Sequence, residues 1–350
     1  MVLSLDSADG RRLWHLRAAG VSVVLDCRGP GLPQVLHWGA DLGDLAAADL
    51  DFLADATVPP VASNALDNPV PVAVLPEHAT GWVGMPGLTG HRQGRDWSVL
   101  FTIDRVLHRQ DERGRQVTIT AGDAAARLGL TLDIALAPSG LLRMRATLRN
   151  EDTTDRAAPF TLDGLVLALP VPTEAAEILD LTGRHCRERS PQRQSFTVGA
   201  RLRDNRRGRT GADATLVLVA GHAGFGFRTG EVWGVHVAWS GNHRAYAERL
   251  PSGPGVIGGG ELLLPGEVTL GAGESYESPW LFGSWGHGLD ELSGRFHTWL
   301  RDRPHHPGAP RPVVLNTWEA VYFDHDLDRL RALADAAAEV GAERFVLDDG

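Results

Sequence analysis

Apolar and polar residues alternate with period two through most of the first 270 or so positions. The pattern is plainest in Gln116–Thr120, Leu128–Ile134, Leu141–Leu148, Ala214–Leu218 and Val232–Val237, separated by Gly, Pro, Asn and Asp. Successive strand residues face opposite sides of a sheet, so alternation at this density predicts a large antiparallel sandwich from about Arg12 to Gly273. That is well beyond the ~100 residues of a simple recognition sandwich. The period then changes. Leu289, Leu292, Phe296 and Leu300 stand at helical spacing within Leu289–Arg301, which predicts one helix. Residues 303–312 hold four prolines, a composition that stops a helix and extends a connector, and the domain boundary is placed there.

Beyond the prolines, Val313–Leu315 reads as a short apolar strand and Asp324 as a helix N-cap. Leu327, Leu330, Ala334, Ala337 and Val340 form an apolar stripe of period ~3.6, closed by Gly341. Phe345–Leu347 makes a second, buried strand. Residues 313–350 thus spell one βαβ unit, whose strands are parallel and whose crossover is right-handed. The C-terminal ends of both strands open on one face, which brings Asn316, Trp318 and Glu319 beside Asp348 and Asp349. Proteins of α/β type place their sites there. A complete eightfold barrel needs at least ~200 residues, whereas 38 follow Pro312. The expectation is a barrel begun within these 350 residues and continued in a longer protein.

Composition narrows the function. All 34 basic residues are arginine and face 44 acidic ones, a net charge of −10 that repels phosphate backbones, so nucleic acid is not an expected partner. Cys27 and Cys186 are far apart in sequence and read as free thiols, which suits a reducing compartment. The N-terminal segment carries Asp6, Asp9, Arg11 and Arg12 without a long apolar run, which argues against a signal peptide. No stretch approaches ~20 apolar residues. A cytoplasmic protein without a membrane span is expected. Metal and cofactor signals are decoys: Asp324–Asp328 imitates a calcium loop but has Arg329 where glycine is required. His185, Cys186 and Glu188 lack zinc spacing, and Gly224–Gly230 lacks dinucleotide spacing. No metal and no cofactor are expected.

The segment Asn316–Phe323 (NTWEAVYF), followed by residues 341–350 (GAERFVLDDG), resembles the start of the catalytic barrel of the glycoside hydrolase family 36 α-galactosidases. The resemblance continues upstream through Leu75–His78, Gly87–Arg92, Arg187–Arg189, Trp239–Asn242 and Pro265–Glu267, and so covers most of the chain. It implies a mainly β fold: an N-terminal β-supersandwich over 1–288, a helix and Pro-rich linker over 289–312, and the first βαβ unit of a (β/α)8 TIM barrel over 313–350. It implies a retaining α-galactosidase that hydrolyses terminal α-linked galactose from oligosaccharides of melibiose or raffinose type and works as a homo-oligomer.

Retention needs two carboxyls about 5 Å apart. The family's nucleophile and acid/base are aspartates on later barrel strands, expected beyond Gly350, so no catalytic residue is assigned within 1–350. To Asp348 and Asp349 the resemblance carries substrate binding. Two ionised carboxylates are pure acceptors and can take the 4-OH and 6-OH of one galactose. An acceptor built for the 4-OH is left unpaired by glucose, which gives discrimination. Trp318 offers a flat face to the apolar side of a pyranose. Near the site entrance relatives carry an aromatic residue where this chain departs from the pattern with His185, and a further substrate contact is what the resemblance would carry to that position. The loop from Leu66–Pro69 to Asp96–Trp97, with Trp82, matches sandwich loops that family oligomers use to shape a neighbouring subunit's pocket. The alternatives are a non-catalytic carbohydrate-binding or assembly sandwich, an α-N-acetylgalactosaminidase, or a galactosyl transferase.

Overall fold

The computed structural model describes residues 5–6, 12–61, 63–64, 70, 72–154, 158–214 and 216–349. Leu66–Pro69, and with them the start of the sandwich loop named above, lie outside the described residues, as does Thr215 within the expected strand Ala214–Leu218. The chain divides into two compact units, Met1–Arg301 and Asp302–Gly350.

The first unit is built on a long antiparallel meander. Thr102–Asp111, Gly114–Asp123, Leu128–Leu136 and Leu142–Asn150 pair in sequence order, and the sheet continues through Leu281–His287, Glu231–Val237, Leu218–Gly221, Glu177–Arg184 and Arg187–Ser195. Its alternation is literal. In Leu142–Asn150 the side chains of Leu142, Met144, Ala146 and Leu148 are buried, while Arg143, Arg145, Thr147 and Arg149 turn outward. A four-stranded sheet, ordered Leu167–Val171, Gly255–Glu261, His243–Arg249, Gly199–Asn205, contributes Leu167, Leu169, Ala245 and Ile257 to the same core as Leu132, Leu148 and Trp233. Its strand Gly255–Glu261 carries three consecutive glycines. A Cβ on Gly258 would run into the Leu167 carbonyl, so the glycine is required by the close approach of the neighbouring backbone. Arg187–Ser195 closes one edge of the large sheet. Edge position is what allows Pro191 within a strand, because the missing N–H removes no ladder bond.

The helix Leu289–Arg301 forms where the spacing places it, but its buried face differs from expectation. Leu292 and Arg295 are buried and Phe296 and Trp299 half-buried, while Leu300 is exposed. The expected strand Ala214–Leu218 begins only at Leu218. Both cysteines are free, and burial pushes the Cys27 thiol up to about 12.

Glu77 is an outlier among the core residues, a carboxyl only 5 % exposed. Its Oε1 accepts the Phe101 N–H at 2.7 Å, and its Oε2 is buried without a partner among the described residues. Asp123 accepts the adjacent Leu100 N–H at 2.8 Å, so two carboxylates pin the entry to strand Thr102–Asp111. Burial raises Glu77 to about 7, with Asp123 adding to the shift. The proton is therefore held more tightly in the folded state than in the unfolded chain. Stability from this group is complete below its ordinary value of 4.5 and is lost as pH rises towards 7. The loss is of order 2–3 kcal/mol. Denaturant midpoints measured from pH 4.5 to 8 should fall over that interval in the wild type, and Glu77→Gln should flatten the fall.

The second unit is a two-stranded parallel sheet with one crossover helix. Val314–Asn316 pairs with Arg344–Val346 in the register Val314↔Arg344, Leu315↔Phe345, Asn316↔Val346. The helix Leu327–Glu339 starts two residues later than the sequence suggests. Its N-cap is Asp326, not Asp324, and the Asp326 carboxylate accepts the Arg329 N–H at 2.9 Å. Gly341 sits at φ +85°, the left-handed turn expected of it. The second strand is not buried as its composition suggests: Phe345 and Val346 are each 38 % exposed. Leu327 and Val340, at the two ends of the helical stripe, are exposed too, while Ala337 between them is buried. One helix covers one face of two strands, and among the described residues the other face and the helix ends are left exposed.

Candidate functional site

The site assembles at the C-terminal ends of the two parallel strands. Both strands stop at paired residues, Asn316 and Val346, and the chain turns at each end. The first turn begins with Thr317, whose side chain is fully buried and whose N–H donates to the Val346 carbonyl at 3.1 Å. Thr317 also receives the Ala320 and Val321 N–H groups on its carbonyl, which starts the short helix Trp318–Val321. The two strand ends are thereby tied together before any functional side chain is placed.

Asn316 connects the groups the sequence singled out. Its Nδ2 donates to Asp348 Oδ2 at 2.7 Å, and its Oδ1 accepts the Trp318 N–H at 2.8 Å. Asp348 Oδ1 in turn accepts the Asp349 N–H at 2.8 Å, and the Asp348 N–H donates to Thr317 Oγ1 at 3.3 Å. The donation from Asn316, followed by that from the Asp349 N–H, holds the Asp348 carboxyl below the usual carboxylate range. Asp348 and Asp349 therefore lie in the turn after the second strand, not on the strand itself. A turn frees them from the alternation that would send neighbouring side chains to opposite faces. Both are exposed.

Trp318 is half-buried, its indole edge-on to Tyr322 at 5.4 Å and to Phe323 at 5.0 Å between ring centroids. Tyr322 takes φ +49°, uncommon for a residue with a Cβ, and its hydroxyl donates to Glu319 at 3.5 Å. Glu319 thus orients an aromatic neighbour. Sequence reasoning misses Thr317, Tyr322 and Phe323. A buried threonine directly after a strand leaves no mark in the alternation, and the two aromatics read as ordinary apolar positions.

His185 belongs to the first unit. It stands at the tip of the hairpin between Glu177–Arg184 and Arg187–Ser195, with a side chain 96 % exposed and the Glu188 carboxylate 3.9 Å from its ring. Trp97, also in that unit, packs edge-on against His78 at 5.3 Å and is otherwise exposed, whereas Trp82 is buried and donates to the Met85 carbonyl. Among the described residues no group of three or more His, Cys, Asp or Glu is arranged to hold a metal ion. No described helix is long and apolar enough to cross a membrane.

Two family models match the chain: the glycosyl hydrolase family 36 N-terminal domain over residues 31–271 and melibiase over residues 275–350. An α-galactosidase of Escherichia coli is 36 % identical over 321 residues, covering 91 % of this chain and 44 % of that protein. The α-galactosidase AgaA of Geobacillus stearothermophilus is 29 % identical over 249 residues, covering 69 % of this chain and 33 % of that protein. The chain spans less than half the length of these curated relatives. A crystal structure of a variant of AgaA in complex with raffinose superposes with a TM-score of 0.82 at 22 % identity, over 97 % of this chain and 50 % of that one. The α-galactosidase from Lactobacillus brevis superposes with a TM-score of 0.83 at 19 % identity, over 97 % and 48 %. These structures share the fold.

Proposed function

Because the chain belongs to glycoside hydrolase family 36, we propose that it supplies the β-domain and the first βα segment of an α-galactosidase acting on terminal α-linked galactose of melibiose- or raffinose-type oligosaccharides. In this reading Asp348 and Asp349 accept hydroxyl hydrogens of the galactosyl ring and Trp318 stacks on its apolar face. His185 is a further contact. In the same reading the nucleophile and the acid/base lie outside residues 1–350, on later barrel strands.

The observation that supports it most directly is the Asn316 bridge, which ties the Asp348 carboxylate to the backbone of Trp318 at one strand-end rim. Acceptors and an apolar plate on a common rim are what a pyranose with donors on its edge and C–H groups on its face requires. The two unbridged cysteines support a cytoplasmic, reducing location. A homo-oligomer belongs to the same proposal.

The test is a comparison of aryl α-galactoside, α-N-acetylgalactosaminide and α-glucoside as substrates of the complete gene product. The galactoside should exceed the glucoside in kcat/KM, because acceptors set for one orientation of the 4-OH are left unpaired by the other sugar. Preference for the acetamido sugar would reassign the activity to an α-N-acetylgalactosaminidase, and a protein inert to all three would overturn the proposal.

A further inference from the structure

Asn316 makes no contact that would let it bind sugar in place of the aspartates, yet both hydrogen-bonding ends of its amide are used. The Oδ1 end is fixed by the Trp318 N–H at 2.8 Å, which leaves Nδ2 no choice but to face Asp348 Oδ2, 2.7 Å away. An amide flip would set a carbonyl oxygen against a carboxylate and an NH2 against an N–H, so the orientation is determined by its partners. Strand pairing fixes where this happens, because Asn316 and Val346 are partnered residues and Thr317 N–H closes on the Val346 carbonyl at 3.1 Å.

Asp348 is otherwise held only by backbone groups of its own turn and by Thr317 Oγ1. Asn316 is thus the one side-chain donor the structure shows on its carboxylate among the described residues, and it occupies Oδ2 while Asp349 N–H occupies Oδ1. Each carboxylate oxygen has a second lone pair, and with the carboxylate plane fixed by two donors those remaining lone pairs point in set directions.

We infer that Asn316 is a positioning residue for galactose recognition. It holds the Asp348 carboxylate in one rotamer, so that a free lone pair meets the 4-OH of galactose in its orientation and not that of glucose. The inference rests on the α-galactosidase reading and on Asp348 as a sugar ligand, and it names the residue that sets the specificity of that ligand. Charged groups on the elements of this unit include Asp349 next in sequence, Glu319 on the short helix, Arg344 at the far end of the second strand, paired with Val314, and Arg329, whose guanidinium donates to the Ala320 carbonyl from the long helix. Asp348 is held low by the Asn316 amide and the Asp349 N–H and not by a cation.

Two variants of the complete enzyme test it. Asn316→Ala removes the donor. It should raise KM for aryl α-galactoside and Ki for free galactose about tenfold or more, and lower the galactoside-to-glucoside ratio, with a smaller change in kcat. Asn316→Asp keeps the shape and the acceptor for Trp318 N–H but sets two carboxylates 2.7 Å apart. Two ionised carboxylates repel at that distance, so the pair takes up one proton as pH falls and the donor is restored. Galactose affinity of this variant should be poor at pH 8 and recover on acidification, whereas the wild type should not gain affinity over the same interval. A purely structural role would move stability and leave this pH signature absent.

The inference is overturned if Asn316→Ala, folded by circular dichroism, binds galactose and discriminates glucoside as the wild type does, or if Asn316→Asp shows no acid recovery, while Asp348→Asn remains impaired. If the wild type hydrolyses no α-galactoside, or Asp348→Asn binds galactose normally, the underlying reading of the site fails, and this inference with it.

Discussion

On the proposed α-galactosidase reading, replacing Asp348 by asparagine in the complete enzyme should lower kcat/KM for an aryl α-galactoside by about 10^3 while the protein stays folded. A hydrogen bond to a charged acceptor contributes roughly 1.5–3 kcal/mol, and asparagine both loses the charge and turns one of the two acceptor oxygens into an NH2 donor that leaves a partner unmatched. The lost bond and the mismatched donor together cost about 4 kcal/mol, or three decades. The substitution also disturbs Asn316, whose amide would meet another amide in place of an anion. Folding should survive because Asp348 is exposed and takes no part in a core. The same substitution at Asp349 should act in the same direction, since its side chain is exposed in the same turn. The acid limb should be informative as well. Asn316 and the Asp349 N–H hold Asp348 below the usual carboxylate range, so it stays ionised from neutrality down to mildly acidic pH, and galactose affinity should fall only below the ordinary carboxylate value of 3.8. Inhibition constants for galactose, measured against pH for wild type and Asp348→Asn, check both parts. An asparagine variant with wild-type kcat/KM would remove Asp348 from the site.

Where one face of a strand is buried and the other is wet, the sequence reports it. The meander from Thr102 to Asn150 can be read from alternation alone, and Leu142–Asn150 places its apolar residues inward without exception up to Leu148. The βαβ unit is equally legible as a topology, because a helical stripe between two short apolar runs leaves few other arrangements. What alternation cannot report is a polar group that the core has absorbed. Glu77 and Thr317 sit at positions where a hydrophobe would have read the same way, and their partners are backbone groups that carry no sequence signature. Exposure in the second unit is misread for the opposite reason. Phe345 and Val346 have the composition of a buried strand, but burial depends on what lies across from them and not on their own side chains. The site stands between these cases. Asp348, Asp349 and Trp318 are found by motif, whereas the link that joins them runs through Asn316, whose two hydrogen bonds follow from the strand register.

Arg295 carries the clearest lesson, and its loss should be the most damaging single change in the first unit. It lies on the stripe that predicts the helix Leu289–Arg301, three residues after Leu292 and one before Phe296, where an apolar side chain is expected. Its side chain is 7 % exposed. Nε donates to the Trp285 carbonyl at 2.8 Å, Nη1 to the Ala19 carbonyl at 2.8 Å and the Ser139 carbonyl at 3.3 Å, and Nη2 to Glu291 Oε1 at 2.6 Å. One guanidinium therefore joins the helix to the strand Leu281–His287 and to two separate turns, using the planar fork that lysine lacks. Gly140, at φ +78°, makes room for it, since a Cβ there would collide with Nη1. Arg295→Ala strands the buried carbonyls of Trp285 and Ser139 and the part-buried one of Ala19, and leaves a void beside Leu292. Breaking a buried charge network of this kind costs about 3–5 kcal/mol. Arg295→Lys should recover only a fraction, because a single ammonium cannot reach four acceptors set out for a fork. Arg295→Met, which fills the volume, separates the two contributions: if packing dominates it should approach wild type, and if the carbonyls dominate it should stay near the alanine variant. The network geometry favours the second outcome. Denaturant unfolding of the three variants, with slopes compared to exclude a changed unfolded state, decides the matter, and a methionine variant as stable as wild type would show that the hydrogen bonds add nothing to stability.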